Sequence, residues 1–186
     1  MTTPRRAIFL DRDGVLNEVI DRGDNYFVQE KKVKWTAPWT YSEFHLKPEV
    51  SGALQAFRDA GYIVILATNQ PDMAYGTMTR EDHERIMADV RILPLDDIFV
   101  CEHGRDNGCE CKKPKPGMLL AAAEKWNIDL TQSYMIGDTE SDIIAGRAAG
   151  CKVVFVEDGR NSEIETEYRV KTLTEFSKIL IDTERI

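Results

Sequence analysis

The sequence predicts an α/β fold with a doubly wound parallel sheet, because short apolar segments alternate with helical segments along most of the chain. The apolar segments at residues 7–10 and 62–67 are continuous rather than alternating, which is typical of strands buried on both faces. Polar residues follow directly after several of these segments. Since parallel strands end at one edge of their sheet, we expect these polar residues to meet in one crevice.

The predicted elements follow one another in a regular order. We predict strands over residues 7–10, 62–67, 97–100, 134–136, 153–156 and 168–170. We predict helices over residues 50–60, 79–91, 117–126 and 174–181, and a further helix that ends at 149. Residues that start or stop helices support these limits. Pro48 opens the first predicted helix and Gly61 ends it, and Gly150 ends the predicted helix that stops at residue 149. Thr79 and Asp82 have the spacing of a capping box.

Residues 18–47 show no clean periodicity and mix lysines with aromatic side chains such as Trp35 and Trp39. We expect a long loop, and a loop of this length in a compact domain is usually functional or poorly ordered. Two interpretations remain open at this point. The aromatic residues could cover a small satellite core at the surface, or the segment could be a flap that faces the substrate.

The composition indicates one globular domain over residues 1–186, with 42% hydrophobic and 30% charged residues. No apolar stretch approaches the length of a membrane span, and Asp11 interrupts the apolar run near the N-terminus, which argues against a signal peptide. The net charge of −8 argues against nucleic-acid binding, which depends on Lys and Arg. We therefore expect no nucleic-acid or membrane partner, and separately we expect a monomer.

Residues 101–111 form a candidate zinc loop. Four soft or borderline metal ligands lie within it: Cys101, His103, Cys109 and Cys111. Such a grouping favours metal binding in a reducing compartment over a disulfide framework, so we expect a cytoplasmic location. Three thiolates and one imidazole suit a tetrahedral Zn²⁺ with no open position, which would be structural. The alternative is a cluster of thiols without a metal. Cys151 lies apart and is expected to be a small buried residue.

Chemically active residues follow four predicted strands or the loops after them. They are Asp11 and Asp13, then Thr68 and Asn69, then Lys112 and Lys113, and finally Asp138 and Asp142. Carboxylates can hold Mg²⁺, lysine can neutralise phosphoryl oxygens, and a free carboxylate can attack phosphorus. The set therefore favours phosphoryl chemistry. The alternative is a group of solvated strand-end acids and helix caps.

Four of these segments resemble the signature motifs of the haloacid dehalogenase superfamily, in that family's order. They are residues 9–14 (FLDRDG), 68–70 (TNQ), 113–114 (KP) and 137–142 (GDTESD). The resemblance implies that Asp11 attacks phosphorus to form an aspartyl-phosphate, and that Asp13 acts first as general acid and then as general base. It also implies that Mg²⁺ is bound by Asp11, the Asp13 carbonyl and Asp138. The phosphoryl group would be bound by Thr68 and Lys113, and the substrate by Asn69, Gln70 and Lys112. Asp142 would orient the site.

The zinc loop directly before Lys113 is similar to that of two groups within the superfamily. These are the heptose 1,7-bisphosphate phosphatases and the histidinol-phosphate phosphatases, and residues 113–118 (KPKPGM) resemble the former. The chain departs from the heptose group at Tyr75 and Lys112, where Arg is usual, and at Thr139, where Lys is common. The resemblance implies a Mg²⁺-dependent phosphatase that acts on a small sugar phosphate by removing the 7-phosphate of a heptose 1,7-bisphosphate, with histidinol phosphate as the alternative substrate. A catalytically silent, zinc-stabilised binding module is the alternative from another class.

Overall fold

The computed structural model describes residues 3–160 and 164–184. The strands of this part are β1 (Ala7–Leu10), β2 (Ile20–Val28), β3 (Lys31–Thr36), β4 (Ile63–Asn69), β5 (Asp97–Cys101), β6 (Tyr134–Gly137), β7 (Lys152–Val156) and β8 (Tyr168–Val170). Its helices are α1 (Val50–Asp59), α2 (Asp72–Tyr75), α3 (Arg80–Arg91), α4 (Gly117–Trp126), α5 (Glu140–Ala149) and α6 (Leu173–Glu184). Across these two ranges, no helix combines the length and the apolar character that crossing a bilayer would need.

Six strands form one parallel sheet in the order β5-β4-β1-β6-β7-β8. The winding reverses at β1, which lies between β4 and β6. In such sheets the crevice beyond the carboxyl ends at the reversal is the usual ligand site. The predicted doubly wound α/β fold is confirmed, and the predicted strands and long helices lie within a few residues of their expected limits.

Both faces of the sheet are covered, which is why its strands are continuously apolar. Along β1, Ile8 and Leu10 pack into a core on one face with side chains of α1, α3 and α6. Ala7 and Phe9 point to the other face and pack against Met118 and neighbouring residues of α4. All four residues of β1 are fully buried. This packing fixes the strand that ends immediately before Asp11.

The expectation of a loop without secondary structure at residues 18–47 is wrong. Strands β2 and β3 pair as an antiparallel hairpin, and residues Gln29 and Glu30 form its two-residue turn with φ of 49° and 63°. A turn of this kind usually carries Asn-Gly or Asp-Gly, because those residues adopt positive φ readily. Most of β2 is exposed, and its register shifts between Asp21 and Tyr26, so no apolar alternation marks it.

The hairpin is tied to the domain at its base. The Arg22 guanidinium donates to both carboxylate oxygens of Glu43 at 2.6 and 2.7 Å and lies over the Trp39 ring. These hydrogen bonds from Arg22 lower the pKa of Glu43 to about 2. The Trp39 indole donates to Asp72 of α2 at 2.9 Å. The end of β3 is therefore held beside the short helix that follows β4.

Candidate active site

A cavity of about 320 Å³ lies at the carboxyl ends of β1, β4 and β6. The residues predicted for catalysis, substrate binding or Mg²⁺ binding that line it are Asp11, Asp13, Asn69, Lys112, Lys113 and Asp138. Trp35, Thr36 and Ala37 from the end of the hairpin line it as well. Strand ends that are far apart in sequence therefore meet around one space, as the parallel topology requires.

The Lys113 ammonium group lies between two carboxylates. Its Nζ atom is 3.0 Å from Asp11 Oδ1 and 2.6 Å from Asp142 Oδ1, and the side chain is only 1% exposed. Burial opposes the charged form, but the two carboxylates outweigh it and raise the pKa of Lys113 above its usual range. Asn69 fixes the lysine backbone, because its amide donates to the Lys113 carbonyl and accepts from the Lys113 N–H. The lysine is charged and held in one place.

Three carboxylates lie close enough to share a cation. One ligand oxygen from each of Asp11, Asp138 and Asp142 lies within 4.8 Å of the others. Burial is the main cause that raises the pKa of Asp11 to about 6 and that of Asp138 to about 7, and the neighbouring carboxylates add to it. Both oxygens of Asp142 are already engaged, one with Lys113 and the other with the Thr139 N–H and hydroxyl. Asp11 and Asp138 therefore offer oxygen ligands of the kind that Mg²⁺ prefers.

Two neighbours crowd Asp138. Gly14 has a φ of +81°, and a Cβ atom there would lie 2.0 Å from Asp138 Oδ2, so no larger residue fits in this turn. The Arg160 guanidinium donates to the same oxygen at 2.6 Å. Arg160 also pairs with Asp158 and lies 5.6 Å from the Trp35 ring centre. Arg160 was not among the predicted site residues. Its signal in the sequence is weak, because it lies outside the four motifs and is marked only by its place after Gly159 in the loop that follows β7.

Asp13 is held by three side chains. Arg12 and Asn17 both donate to Oδ1, and Arg12 and Gln70 both donate to Oδ2. Sequence reasoning placed Gln70 with the substrate-binding residues. The structure instead buries its amide, which donates to Asp13 at 2.7 Å and to the Thr68 hydroxyl at 2.9 Å. Thr68 is also fully buried, at the end of β4.

A second cavity of about 550 Å³ adjoins the first. Arg105, Lys112, Lys113 and Ser141 line both, and Lys31 and Lys115 line the second. Among the residues that the structure describes, no acidic side chain lines this second cavity. The space beside the carboxylate cluster is therefore suited to an anion.

The predicted zinc ligands converge at one point. The Cys101 sulfur lies 3.7 Å from that of Cys109 and 3.1 Å from that of Cys111, and the His103 Nδ1 atom lies 3.6 and 3.3 Å from Cys101 and Cys111. Sulfurs around a tetrahedral Zn²⁺ are about 3.8 Å apart for the usual bond length. All four cysteines are free thiols. The donor set fits a structural zinc, and the Lys112 ammonium group donates to the His103 carbonyl beside it at 3.0 Å.

Comparison with known proteins identifies the family. A family model described as HAD-hydrolase-like matches residues 110–176. The chain is 35% identical to the D-glycero-β-D-manno-heptose-1,7-bisphosphate 7-phosphatase of Helicobacter pylori strain J99, over 82% of this chain and 83% of that one. The chain belongs to the haloacid dehalogenase-like phosphatases. The Pasteurella multocida enzyme of the same name is 32% identical over 95% of this chain and 97% of its own.

A solved structure supports the same family assignment for this haloacid dehalogenase-like phosphatase. The D,D-heptose 1,7-bisphosphate phosphatase of B. bronchiseptica, complexed with magnesium and phosphate, matches with a TM-score of 0.77 and 29% identity. The match covers 96% of this chain and 99% of that one. The chain is therefore a phosphatase by family, and the superfamily resemblance drawn from its four motifs is confirmed.

Proposed function

We propose that this phosphatase is a Mg²⁺-dependent phosphomonoester hydrolase that removes the 7-phosphate of D-glycero-β-D-manno-heptose 1,7-bisphosphate through an aspartyl-phosphate. The observation that carries the chemistry is the buried ammonium group of Lys113 between Asp11 and Asp142, at the floor of the cavity. The names of the relatives support the substrate, and the cation-lined second cavity supports a substrate with two phosphates.

Asp11 is the nucleophile in this proposal. Its Oδ1 atom accepts from the Arg12 N–H at 2.7 Å and from Lys113 at 3.0 Å, which orients the carboxylate and leaves Oδ2 to attack phosphorus. The bond that forms joins Oδ2 to phosphorus, and the bond that breaks joins phosphorus to the sugar oxygen. Lys113 offsets negative charge on the phosphoryl oxygens as the bond breaks.

Asp13 transfers the protons. It donates one to the sugar oxygen as that oxygen leaves, and it then takes one from the water that attacks the phosphorus of the aspartyl-phosphate. The Asp13 side chain lines the cavity, where both the leaving oxygen and the water must pass. When bound by Asp11, the Asp13 carbonyl and Asp138, Mg²⁺ supplies positive charge against the phosphoryl oxygens. Zn²⁺ would be bound by the four ligands of residues 101–111 and would stiffen the loop before Lys113.

The second cavity favours a bisphosphate over histidinol phosphate. Among the described residues its charged lining is cationic, with Lys31, Arg105 and Lys112 in addition to Lys113, which pairs with Asp11 and Asp142, and Lys115, which pairs with Glu110. Histidinol phosphate carries an ammonium group and an imidazole ring but no second phosphate, so it offers these cations no anion, whereas the second phosphate of a bisphosphate would be attracted. Charge-assisted hydrogen bonds contribute about 1.5–3 kcal/mol each, so losing the second phosphate should reduce kcat/KM by roughly 10- to 150-fold.

The test compares three substrates with purified protein and Mg²⁺. We expect kcat/KM to be highest for the heptose 1,7-bisphosphate, lower for the heptose 7-phosphate and lowest for histidinol phosphate. Lys31→Ala should raise KM for the bisphosphate and leave the monophosphate unaffected, while Lys32→Ala is the matched control because Lys32 does not line the cavity. Equal or faster turnover of histidinol phosphate would falsify the heptose assignment. Absence of turnover with every substrate would favour the silent binding module.

A further inference from the structure

We infer that Arg12, Asn17 and Gln70 form a clamp that positions the Asp13 carboxyl group for proton transfer, with Arg12 as its main member. The inference rests on the proposed function, in which Asp13 is the general acid and base. None of the three was expected to act on Asp13. Arg12 and Asn17 had no predicted role, and Gln70 was expected to bind substrate.

Arg12 makes the most contacts with Asp13. Its Nε and Nη2 atoms lie 3.1 and 2.9 Å from Asp13 Oδ1, and Nη2 also lies 3.1 Å from Oδ2. The arginine side chain is fully buried, and its remaining Nη1 atom lies 3.8 Å from the Met87 sulfur. A guanidinium buried in an apolar core is costly unless a carboxylate pairs with it. In the part of the chain that the structure describes, that carboxylate is Asp13.

Asn17 and Gln70 complete the clamp from two other directions. The backbone N–H groups of Leu16 and Asn17 donate to the Arg12 carbonyl, at 2.7 and 3.2 Å, and this turn carries the Asn17 amide to 3.1 Å from Asp13 Oδ1. Gln70 approaches from the end of β4 and donates to Oδ2 at 2.7 Å. Asn17 and Gln70 are both buried, so neither amide can swing freely into solvent.

The clamp matters because Asp13 itself is partly open to the cavity. Its side chain is 14% exposed and lies on the turn after β1, where a carboxyl group without partners would sample several rotamers. Proton transfer requires the donor within hydrogen-bond reach of the leaving oxygen, and misplacement by about 1 Å can cost roughly 100-fold in rate. Donors on both oxygens fix the position and the rotation of the carboxyl group.

The test uses the leaving group to separate positioning from general damage. A sugar phosphate releases a poor leaving group that needs protonation, whereas 4-nitrophenyl phosphate releases a phenolate that leaves without it. The parameter is kcat/KM with Mg²⁺, because it covers the steps up to formation of the aspartyl-phosphate and not its hydrolysis. The variants are Arg12→Lys, which keeps the charge but loses the fork, and Gln70→Leu, which removes the donor at similar size. Arg58→Lys, on the surface of α1, is the matched control.

We expect each clamp variant to lose at least tenfold more kcat/KM with the sugar phosphate than with the aryl phosphate, with inhibition by inorganic phosphate unchanged. If Arg12→Lys does not fold, Gln70→Leu and Asn17→Ala carry the same test. Equal losses with both substrates would overturn the inference, because damage to the fold or to phosphate binding affects both alike. Wild-type protein that turns over neither substrate would instead overturn the proposed function, and the clamp with it.

Discussion

Replacing Asp138 by Asn should remove much of the pH dependence of stability of the Mg²⁺-free protein. The Asp138 side chain is 1% exposed, and burial beside Asp142 and Asp11 raises its pKa from 3.8 to about 7. Between these values the folded protein holds a proton that the unfolded chain has released. Stability must therefore fall as pH rises from about 4 through about 7. At 1.36 kcal/mol per pKa unit, this group alone lowers the free energy of unfolding by about 4 kcal/mol at pH 8.

The assay is thermal unfolding at pH 5 and pH 8 in buffer without Mg²⁺. Since pH 5 already lies above the unfolded pKa of 3.8, Asp138 accounts for about 2.7 kcal/mol of the change between pH 5 and pH 8, which for a chain of this size corresponds to a loss in Tm of roughly 5–11 °C. Asp138→Asn should lose much less, because an amide is neutral at both pH values. Added Mg²⁺ should stabilise the wild type at pH 8, because it binds the folded carboxylates, and should have little effect on the variant.

Other groups act in the same pH range, among them Asp72 with a raised pKa and Cys109 with a pKa lowered to about 7. Burial lowers the pKa of His83, so that histidine makes stability rise with pH, and Asp11 has a raised pKa of about 6 that survives in the variant. The difference between wild type and variant cancels these contributions. Glu124→Gln, an exposed site on α4, controls for the change in net charge. An equal pH dependence in wild type and Asp138→Asn would refute the reasoning.

Three further predictions concern the other parts of the site. Lys113→Met should lower the free energy of unfolding at pH 8 by about 3–5 kcal/mol in a urea titration, because it leaves buried carboxylates without their counter-charge, and unchanged stability would contradict this. The Cys109→Ser protein should contain one zinc fewer per chain than the wild type by elemental analysis and should have a lower Tm, whereas the Cys151→Ser protein should keep its zinc. Equal zinc contents in the two variants would contradict zinc binding by residues 101–111. Gly14→Ala should weaken Mg²⁺ binding in calorimetry, since the added Cβ atom collides with Asp138, and wild-type affinity would count against that contact.

The central sheet could be predicted because its strands and helices are locally consistent. Each strand that is buried on both faces has an apolar run of its own, and helix limits are marked by residues such as Gly61 and Gly150. The hairpin lacked such signals. Its turn uses Gln29 and Glu30 instead of Asn-Gly, and its strands are mostly exposed, so neither turn chemistry nor periodicity identified it.

The site was predictable at its strand ends but not in its side-chain directions. Asn69 and Gln70 are neighbours in sequence, and successive side chains of an extended chain point to opposite sides. One therefore holds the Lys113 backbone while the other reaches Asp13, a difference that residue types alone do not give. Arg160 was missed for another reason. It comes from a loop outside the four motifs and reaches Asp138 only through the fold.

Detection of a phosphoryl group on Asp11 tests the central claim most directly. The wild-type protein would be mixed with heptose 1,7-bisphosphate or with 4-nitrophenyl phosphate in the presence of Mg²⁺, quenched in acid within milliseconds, digested and examined by mass spectrometry. An Asp13→Asn variant would be mixed with the aryl phosphate, whose phenolate leaves without protonation, so that the adduct still forms while its hydrolysis is slowed. We expect the peptide that contains Asp11 to gain the mass of one phosphoryl group with both substrates, and we expect more of the adduct from the aryl phosphate in the variant than in the wild type. A rapid release of product with no adduct on that peptide, or with the adduct on another residue, would contradict the account.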